Sequence, residues 1–150
     1  RKGLTETVWQ GRFTTVSRHP LFIVDGAHNR DAADRLRETL ELYFPEKRKV
    51  FIAGVLADKE YEEVVRQTVS LAAEVITVMT PDNPRALPAE ELANTVKKYN
   101  SHVQAAESLA AAVDLAYEKA EKEDAIVAFG SLSYLGEMTR LVRKKTGREG

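Results

Sequence analysis

The chain has 150 residues, the length of one domain, so we expect a single domain over residues 1–150. Hydrophobic residues make up 43% and charged residues 30%, the usual balance of a globular chain, and the absence of cysteine excludes disulfides and thiolate metal sites. Twenty-two basic and 23 acidic side chains give a net charge of −1 without a basic block, so a nucleic acid is not an expected partner. No apolar run approaches the ~20 residues of a membrane span, so a membrane is not an expected partner either.

Short apolar runs alternate with helical patterns along the chain. The runs Phe13–Ser17 and Leu21–Asp25 are joined by only about three residues, so we expect these two strands to be antiparallel or sharply bent. From Asn29 to Phe44 apolar residues recur at steps of three and four, which predicts a helix that Pro45 stops. The remaining predicted strands are Val50–Gly54, Val75–Thr80, His102–Ala105 and Ala125–Phe129, and the remaining predicted helices are Asp58–Ala73, Pro88–Tyr99, one capped by Ser108 and one after Gly130.

The pattern of these strands indicates the fold class. Strands rich in Val, Ile and Phe without polar alternation are typical of strands buried on both faces of a sheet. Alternation of strands and helices implies right-handed crossovers between parallel strands. We therefore predict an α/β, Rossmann-like, doubly wound fold. Its sheet is six-stranded and mostly parallel, with an antiparallel N-terminal edge strand and helices on both faces.

Polar residues and glycines follow four of the predicted strands, where ligands bind in such sheets. The first segment is Asp25-Gly26-Ala27-His28-Asn29, at the beginning of a helix whose unpaired amides favour an anion. The alternative interpretation is local: Asn29 caps the helix, Gly26 makes the turn and Asp25 accepts hydrogen bonds from nearby amides.

The other three strand ends have similar alternatives. After the strand that ends at Gly54, Asp58 is explained in part as a helix N-cap. In the loop 80–87, Arg85 is the one cation and is suited to a phosphate or carboxylate, while the prolines would stiffen the loop. After Gly130, Ser131 is a capping residue by default and a ligand-binding hydroxyl if the strand ends converge.

Several known motifs are absent from the sequence. There is no G-x-x-x-x-G-K-[ST] phosphate loop, no G-x-G-x-x-G and no G-x-S-x-G turn. Asp25, His28 and Asp31 do not make a convincing metal set, because Asp31 belongs to the helix, where the dipole favours it. We predict no metal site in this chain.

Five motifs, in order, carry a resemblance to a known family. Asp-Gly-Ala-His-Asn after an apolar strand is similar to the hallmark of the C-terminal domain of folylpolyglutamate synthase and dihydrofolate synthase, in the Mur ligase superfamily. The other four motifs are Trp9-Gln10-Gly11-Arg12-Phe13, Gly54-Val55 with Asp58-Lys59, Pro84-Arg85-Ala86, and Gly130-Ser131-Leu132 with Gly136-Glu137. Gln10 and Arg30 stand where the family usually has proline, and Tyr134 is offset by one position, so no role is given to Tyr134.

The resemblance implies ATP-dependent amide formation. ATP phosphorylates the γ-carboxylate of a folate-type acceptor, the amine of L-glutamate attacks the acyl phosphate, and phosphate leaves through a tetrahedral intermediate. The acceptor is a reduced folate, or dihydropteroate if the enzyme also makes dihydrofolate, and the sequence does not separate these activities. In the family the P-loop, the Mg²⁺ ligands and much of the folate pocket lie in an N-terminal domain. We therefore expect a cytoplasmic fragment that is inactive alone.

The resemblance also suggests residue roles. Arg12 and Asp25 are expected to bind ATP, since a guanidinium donates to phosphate or ribose oxygens and a carboxylate accepts from ribose hydroxyls. His28 and Ser131 are expected to hold glutamate or the acyl phosphate, with His28 as the catalytic candidate. Second-rank candidates are Asn29, Asp58, Lys59 and Arg85.

Two other functions stay open. One is a stand-alone α/β module that binds a nucleotide or an amino acid without catalysis. The other is a purely structural interaction domain, which would leave the polar residues at four strand ends without a reason. The missing P-loop and the start at Arg1 rather than Met favour the ligase fragment.

Overall fold

The computed structural model describes residues 8–9, 13–17, 20–26, 29–57, 60–81, 83–130 and 132–147. The strands are β1 Val8–Trp9, β2 Phe13–Ser17, β3 Leu21–Asp25, β4 Lys49–Gly54, β5 Glu74–Thr77, β6 Val103–Ala105 and β7 Ala125–Gly130. The helices are α1 Arg30–Tyr43, α2 Tyr61–Thr68, α3 Ala89–Val96, α4 Leu109–Lys119 and α5 Leu132–Gly147, and a 3-10 turn, Val69–Leu71, follows α2. None of the helices in these ranges has both the length and the apolar character that a bilayer crossing requires.

The strands form one sheet in the order β1-β2-β3-β7-β4-β5-β6. The five strands from β3 to β6 in this order are parallel, and both β1 and β2 are antiparallel to their neighbours. The predicted α/β class, the parallel sheet and the antiparallel opening pair are confirmed. The structure adds a seventh strand to the six predicted, because Val8 pairs with Thr14, so the antiparallel edge consists of two strands.

Both faces of the parallel sheet are covered by helices. In β7 the side chains alternate: Val127 and Phe129 pack with α1, α2 and α3, whereas Ile126 and Ala128 pack with α4 and α5. All four of these side chains are fully buried. This burial on both sides is the reason that the strand carries an uninterrupted apolar run, and it confirms the prediction of helices on both faces.

Two helix caps agree with the sequence. The Asn29 Oδ1 accepts a hydrogen bond from the Ala32 amide at 2.9 Å, and α1 ends just before Pro45. The Ser108 Oγ accepts from the Ala111 amide at 3.0 Å at the beginning of α4. Each side chain satisfies one of the unpaired amides of a first helical turn.

The predicted beginning of α2 is wrong. The helix begins at Tyr61, and its N-cap position belongs to Glu60, whereas Asp58, the predicted cap, lies outside the described residues. The reason is that the chain stays extended after β4: Leu56 forms an antiparallel bridge with Ala86. A tertiary contact therefore delays the helix beyond the point at which the local sequence would allow it.

Candidate functional site

The carboxyl ends of three neighbouring parallel strands meet at one edge of the sheet. Asp25 ends β3 and pairs in register with Phe129 of β7. Gly130 ends β7 and pairs in register with Gly54, the last residue of β4. The structure thus brings together the ends of three of the four strands that the sequence marks with polar residues and glycine.

The chain leaves these strands toward opposite faces of the sheet. The helix after β3, α1, packs on the same face as α2, whereas the helix after β7, α5, packs on the other face. A crevice opens where neighbouring strands of an open α/β sheet diverge in this way, and ligands bind there. The candidate site is therefore the crevice beyond Asp25, Gly54 and Gly130.

The acid at this edge is largely enclosed. Asp25 is 5% exposed, and Gly26, which follows it, is also buried. A carboxylate in such a position has to be hydrogen-bonded or paired, because an isolated buried charge is very costly. Asp25 therefore lies in the wall of the crevice rather than on its open surface.

The beginning of α1 already holds a carboxylate of the same chain. The backbone N–H of Arg30, the first residue of α1, donates to Glu60 Oε1 at 3.1 Å. A negative charge is stabilised at a helix N-terminus, as expected for this position. The sequence did not predict this contact, because an acid before a helix is ordinarily a surface charge and no local pattern links Glu60 to Arg30.

The loop after β5 folds back onto the end of β4. The Ala57 amide donates to the carbonyl of Arg85 at 2.7 Å, and the Leu87 amide donates to the carbonyl of Val55 at 3.1 Å. The Asn83 Oδ1 accepts from the Arg85 amide at 2.9 Å and tightens the turn. The backbone of Arg85 is thereby fixed beside β4, while its side chain is exposed and makes no ion pair within the part of the chain that the structure describes.

Five of the predicted site residues lie outside the described residues: Arg12, His28, Asp58, Lys59 and Ser131. Their roles stay predictions. Of the predicted site residues that are described, Asp25 lies at the crevice, Asn29 caps α1 and Arg85 lies beside the end of β4. Within the described ranges, no three His, Asp or Glu side chains are placed together as metal ligands would be.

A charged cluster joins α2 to the segment that follows α3. Lys98 Nζ and the Tyr99 hydroxyl donate to Glu62 Oε2 at 3.1 and 3.0 Å. The hydrogen bond from Lys98, followed by that from Tyr99, lowers the pKa of Glu62. These groups are at the surface, so the cluster orients the two segments but adds little stability.

A surface pocket of about 510 Å³ lies near the opposite end of the sheet, lined by residues 43–48 with Glu123 and Asp124. Two of its basic side chains are engaged within the protein. Lys47 Nζ donates to the Glu123 carbonyl at 2.5 Å, and Arg48 Nη1 pairs with Asp124 Oδ2 at 2.6 Å. The pocket therefore does not belong to the crevice at the carboxyl edge.

Comparison with known proteins agrees with this geometry. Residues 11–132 match the family described as Mur ligase, glutamate ligase domain. The folylpolyglutamate synthase of Lacticaseibacillus casei is 39% identical over 88 residues, which cover 59% of this chain and 20% of that protein. The dihydrofolate synthase/folylpolyglutamate synthase of Bacillus subtilis is 34% identical over 92 residues, covering 61% of this chain and 21% of that protein.

Solved structures show the same likeness. E. coli FolC in complex with ADP, without folate substrate, superposes with a TM-score of 0.81 at 26% identity, covering 95% of this chain and 33% of that one. Mycobacterium tuberculosis folylpolyglutamate synthase complexed with ADP and AMPPCP gives a TM-score of 0.71 at 26% identity, covering 85% of this chain and 30% of that one. The matched segments span about one fifth of the length of these two curated relatives and about one third of these two solved chains.

Proposed function

The chain belongs to the Mur ligase family, as a glutamate ligase domain, and we propose that it forms one half of the active site of an ATP-dependent ligase that adds L-glutamate to a folate. The observation that supports this most is the coincidence of the crevice at Asp25 and Gly130 with the Asp-Gly-Ala-His-Asn and Gly-Ser-Leu motifs of the folate ligases. The relatives are named folylpolyglutamate synthase and dihydrofolate synthase, so the acceptor is a reduced folate or dihydropteroate.

The other half of the active site lies outside these 150 residues. In-line phosphoryl transfer needs a cradle for the triphosphate and a metal that offsets its charge. The sequence has no P-loop, so we assign the cradle and most of the Mg²⁺ ligands to an ATPase domain that closes over this crevice. The solved neighbours contain ADP, AMPPCP, or AMPPNP with a Mn ion, which supports a nucleotide and a divalent metal as ligands of the complete enzyme.

We assign the nucleotide side of the crevice to Arg12 and Asp25. A guanidinium offers fixed donors to phosphate or ribose oxygens, and Arg12 directly precedes β2, which pairs with β3. A carboxylate at the end of β3 accepts from ribose hydroxyls or from water bound to the metal. The burial of Asp25 in the crevice wall supports this role, because it holds the carboxylate in one place.

The amino-acid side is assigned to His28 and Ser131, which border the ends of β3 and β7 in sequence. An imidazole beside a helix N-terminus suits the carboxylate of glutamate or the acyl phosphate. Arg85 is a further candidate anion contact, since its anchored backbone and exposed guanidinium leave a positive charge beside the end of β4. Asn29 acts through the helix that it caps.

The test is a hybrid ligase, in which residues 1–150 replace the matching part of the Bacillus subtilis enzyme. Incubated with a reduced folate, L-glutamate and MgATP, it should yield a folate heavier by one glutamyl residue, detected by mass spectrometry, with one ADP released for each residue added. The unmodified Bacillus subtilis enzyme is the positive control. A folded hybrid that binds ATP but transfers no glutamate, while this control does, would contradict the proposal.

A further inference from the structure

The side chain of Glu60 does not cap the helix that it precedes. Glu60 occupies the N-cap position of α2, but its carboxylate makes no capping hydrogen bond to the amides of that helix. Glu60 Oε1 instead accepts the hydrogen bond from the Arg30 amide, at 3.1 Å and across 30 positions of sequence. One carboxylate therefore joins the beginnings of α1 and α2.

This hydrogen bond joins the helices that follow two of the three strands bordering the candidate site. α1 follows β3 and α2 follows β4, and β7 lies between these two strands in the sheet. With neighbouring strands about 4.8 Å apart, the ends of β3 and β4 are separated by roughly 10 Å. Glu60 spans part of this distance on the face where α1 and α2 pack against each other. This solvent-exposed contact thus links the first residue of the helix that follows Asp25 to the residue before the helix that follows Gly54.

We propose that Glu60 is a positioning residue of the ligase, which holds the beginnings of α1 and α2 at the relative position that the reaction requires. This assignment rests on the proposed function of the crevice. Glu60 acts through the backbone of Arg30, and we assign it no contact with substrate. A displacement of about 1 Å in a group that aligns reactants can reduce a rate by up to 10²-fold, so losing this link should affect catalysis more than folding.

Three variants distinguish the effect of the hydrogen bond between the Arg30 amide and Glu60 from the effect of the negative charge alone. Glu60→Ala removes the acceptor. Glu60→Gln keeps a side-chain oxygen that can accept from the Arg30 amide but removes the charge. Asp31→Asn is the matched control, because Asp31 is an exposed acid in the first turn of α1 and interacts with the same helix dipole from within that helix.

In the hybrid ligase, Glu60→Ala should lower kcat/KM for L-glutamate about tenfold, whereas Glu60→Gln and Asp31→Asn should stay within about threefold of the parent. In the 150-residue chain, the Arg30 amide should exchange with solvent faster in Glu60→Ala and at the parental rate in Glu60→Gln. The free energies of unfolding of Glu60→Ala and Asp31→Asn should be similar, so that the loss of activity is not a loss of folding.

Parental activity in Glu60→Ala would overturn the assignment. If Glu60→Gln and Asp31→Asn lost as much activity as Glu60→Ala, the negative charge alone would explain the loss, and the assignment would again be wrong. An unchanged exchange rate of the Arg30 amide in Glu60→Ala would overturn it as well. A parent hybrid without glutamate transfer is a different result: it would overturn the proposed function, and this assignment with it.

Discussion

Gly130 and Gly54 lie opposite each other at the ends of β7 and β4, so close that a Cβ on Gly130 would stand 1.9 Å from the carbonyl oxygen of Gly54. Gly130 also has φ of +126°, a backbone conformation that glycine adopts readily and other residues avoid. Where β7 meets β4, the crevice is therefore bordered by backbone alone, and its shape there depends on the absence of a side chain at Gly130.

Substitution of Gly130 by alanine should consequently destabilise the domain by about 3 kcal/mol or more, since the strained φ and the collision with Gly54 add together. Gly136→Ala is the control: Gly136 lies within α5, where an added Cβ would meet no neighbouring atom within 4 Å, and the variant should gain about 0.5–1 kcal/mol from its higher helix propensity. Urea denaturation measures both. Equal stability of the two variants would show that the strand ends can separate freely.

The cap of α1 should matter for activity as well as for stability. Asn29→Ala and Ser108→Ala each remove one N-cap hydrogen bond, and each should cost about 1 kcal/mol. Only Asn29 adjoins the crevice, since α4 follows β6 at the far edge of the sheet. We expect kcat/KM of the hybrid ligase to fall about tenfold in Asn29→Ala and to stay within about threefold in Ser108→Ala. Equal activities would reduce Asn29 to a structural cap.

His28 is the residue that we expect to matter most for the chemistry. His28→Ala should lower kcat/KM of the hybrid ligase by about 10²-fold or more, the range for a positioned polar group that acts in the transition state. His102→Ala is the control, because His102 is exposed beside β6 and takes part in the fold through its backbone. Activity of His28→Ala within about threefold of the parent would make His28 a turn residue.

Lys49 should give the domain a characteristic dependence on alkaline pH. It is 6% exposed, and burial lowers its pKa below the ordinary value of 10.5, against a smaller opposing effect of Glu41. Between the two pKa values the unfolded chain binds more protons than the folded one, so stability rises with pH across that window. Lys49→Met should remove this rise. The measurement is the unfolding free energy from neutral pH to pH 10.5, and parallel curves for the two proteins would contradict the prediction.

The fold could be predicted because its strands are buried on both faces. The runs at Leu21–Asp25 and Ala125–Phe129 carry no polar alternation, and this pattern indicates a parallel sheet covered by helices. The strand Val8–Trp9 was missed because two residues are too few to show any periodicity. The beginning of α2 was misplaced because Leu56 pairs with Ala86, a contact across 30 positions that local propensity does not contain.

The candidate site could be predicted only in part, because it too depends on contacts between distant parts of the chain. Strand ends are visible in a sequence, and Asp25, Gly54 and Gly130 were all placed at such ends. Which ends are neighbours depends on the strand order, in which β7 inserts between β3 and β4. The sequence therefore marks both Gly54 and Gly130 without indicating that they touch. The link from Glu60 to the Arg30 amide depends on that same order.

We propose that these residues form one half of an active site, folded by itself but dependent on an ATPase domain for chemistry. The most direct measurement is the release of ADP from MgATP in the presence of a reduced folate and L-glutamate, by the 150-residue chain alone and by the hybrid ligase. We expect no glutamate-dependent release from the chain alone, because nothing in its sequence forms a phosphate cradle, and clear release from the hybrid. Glutamate-dependent turnover by the chain alone would contradict the account.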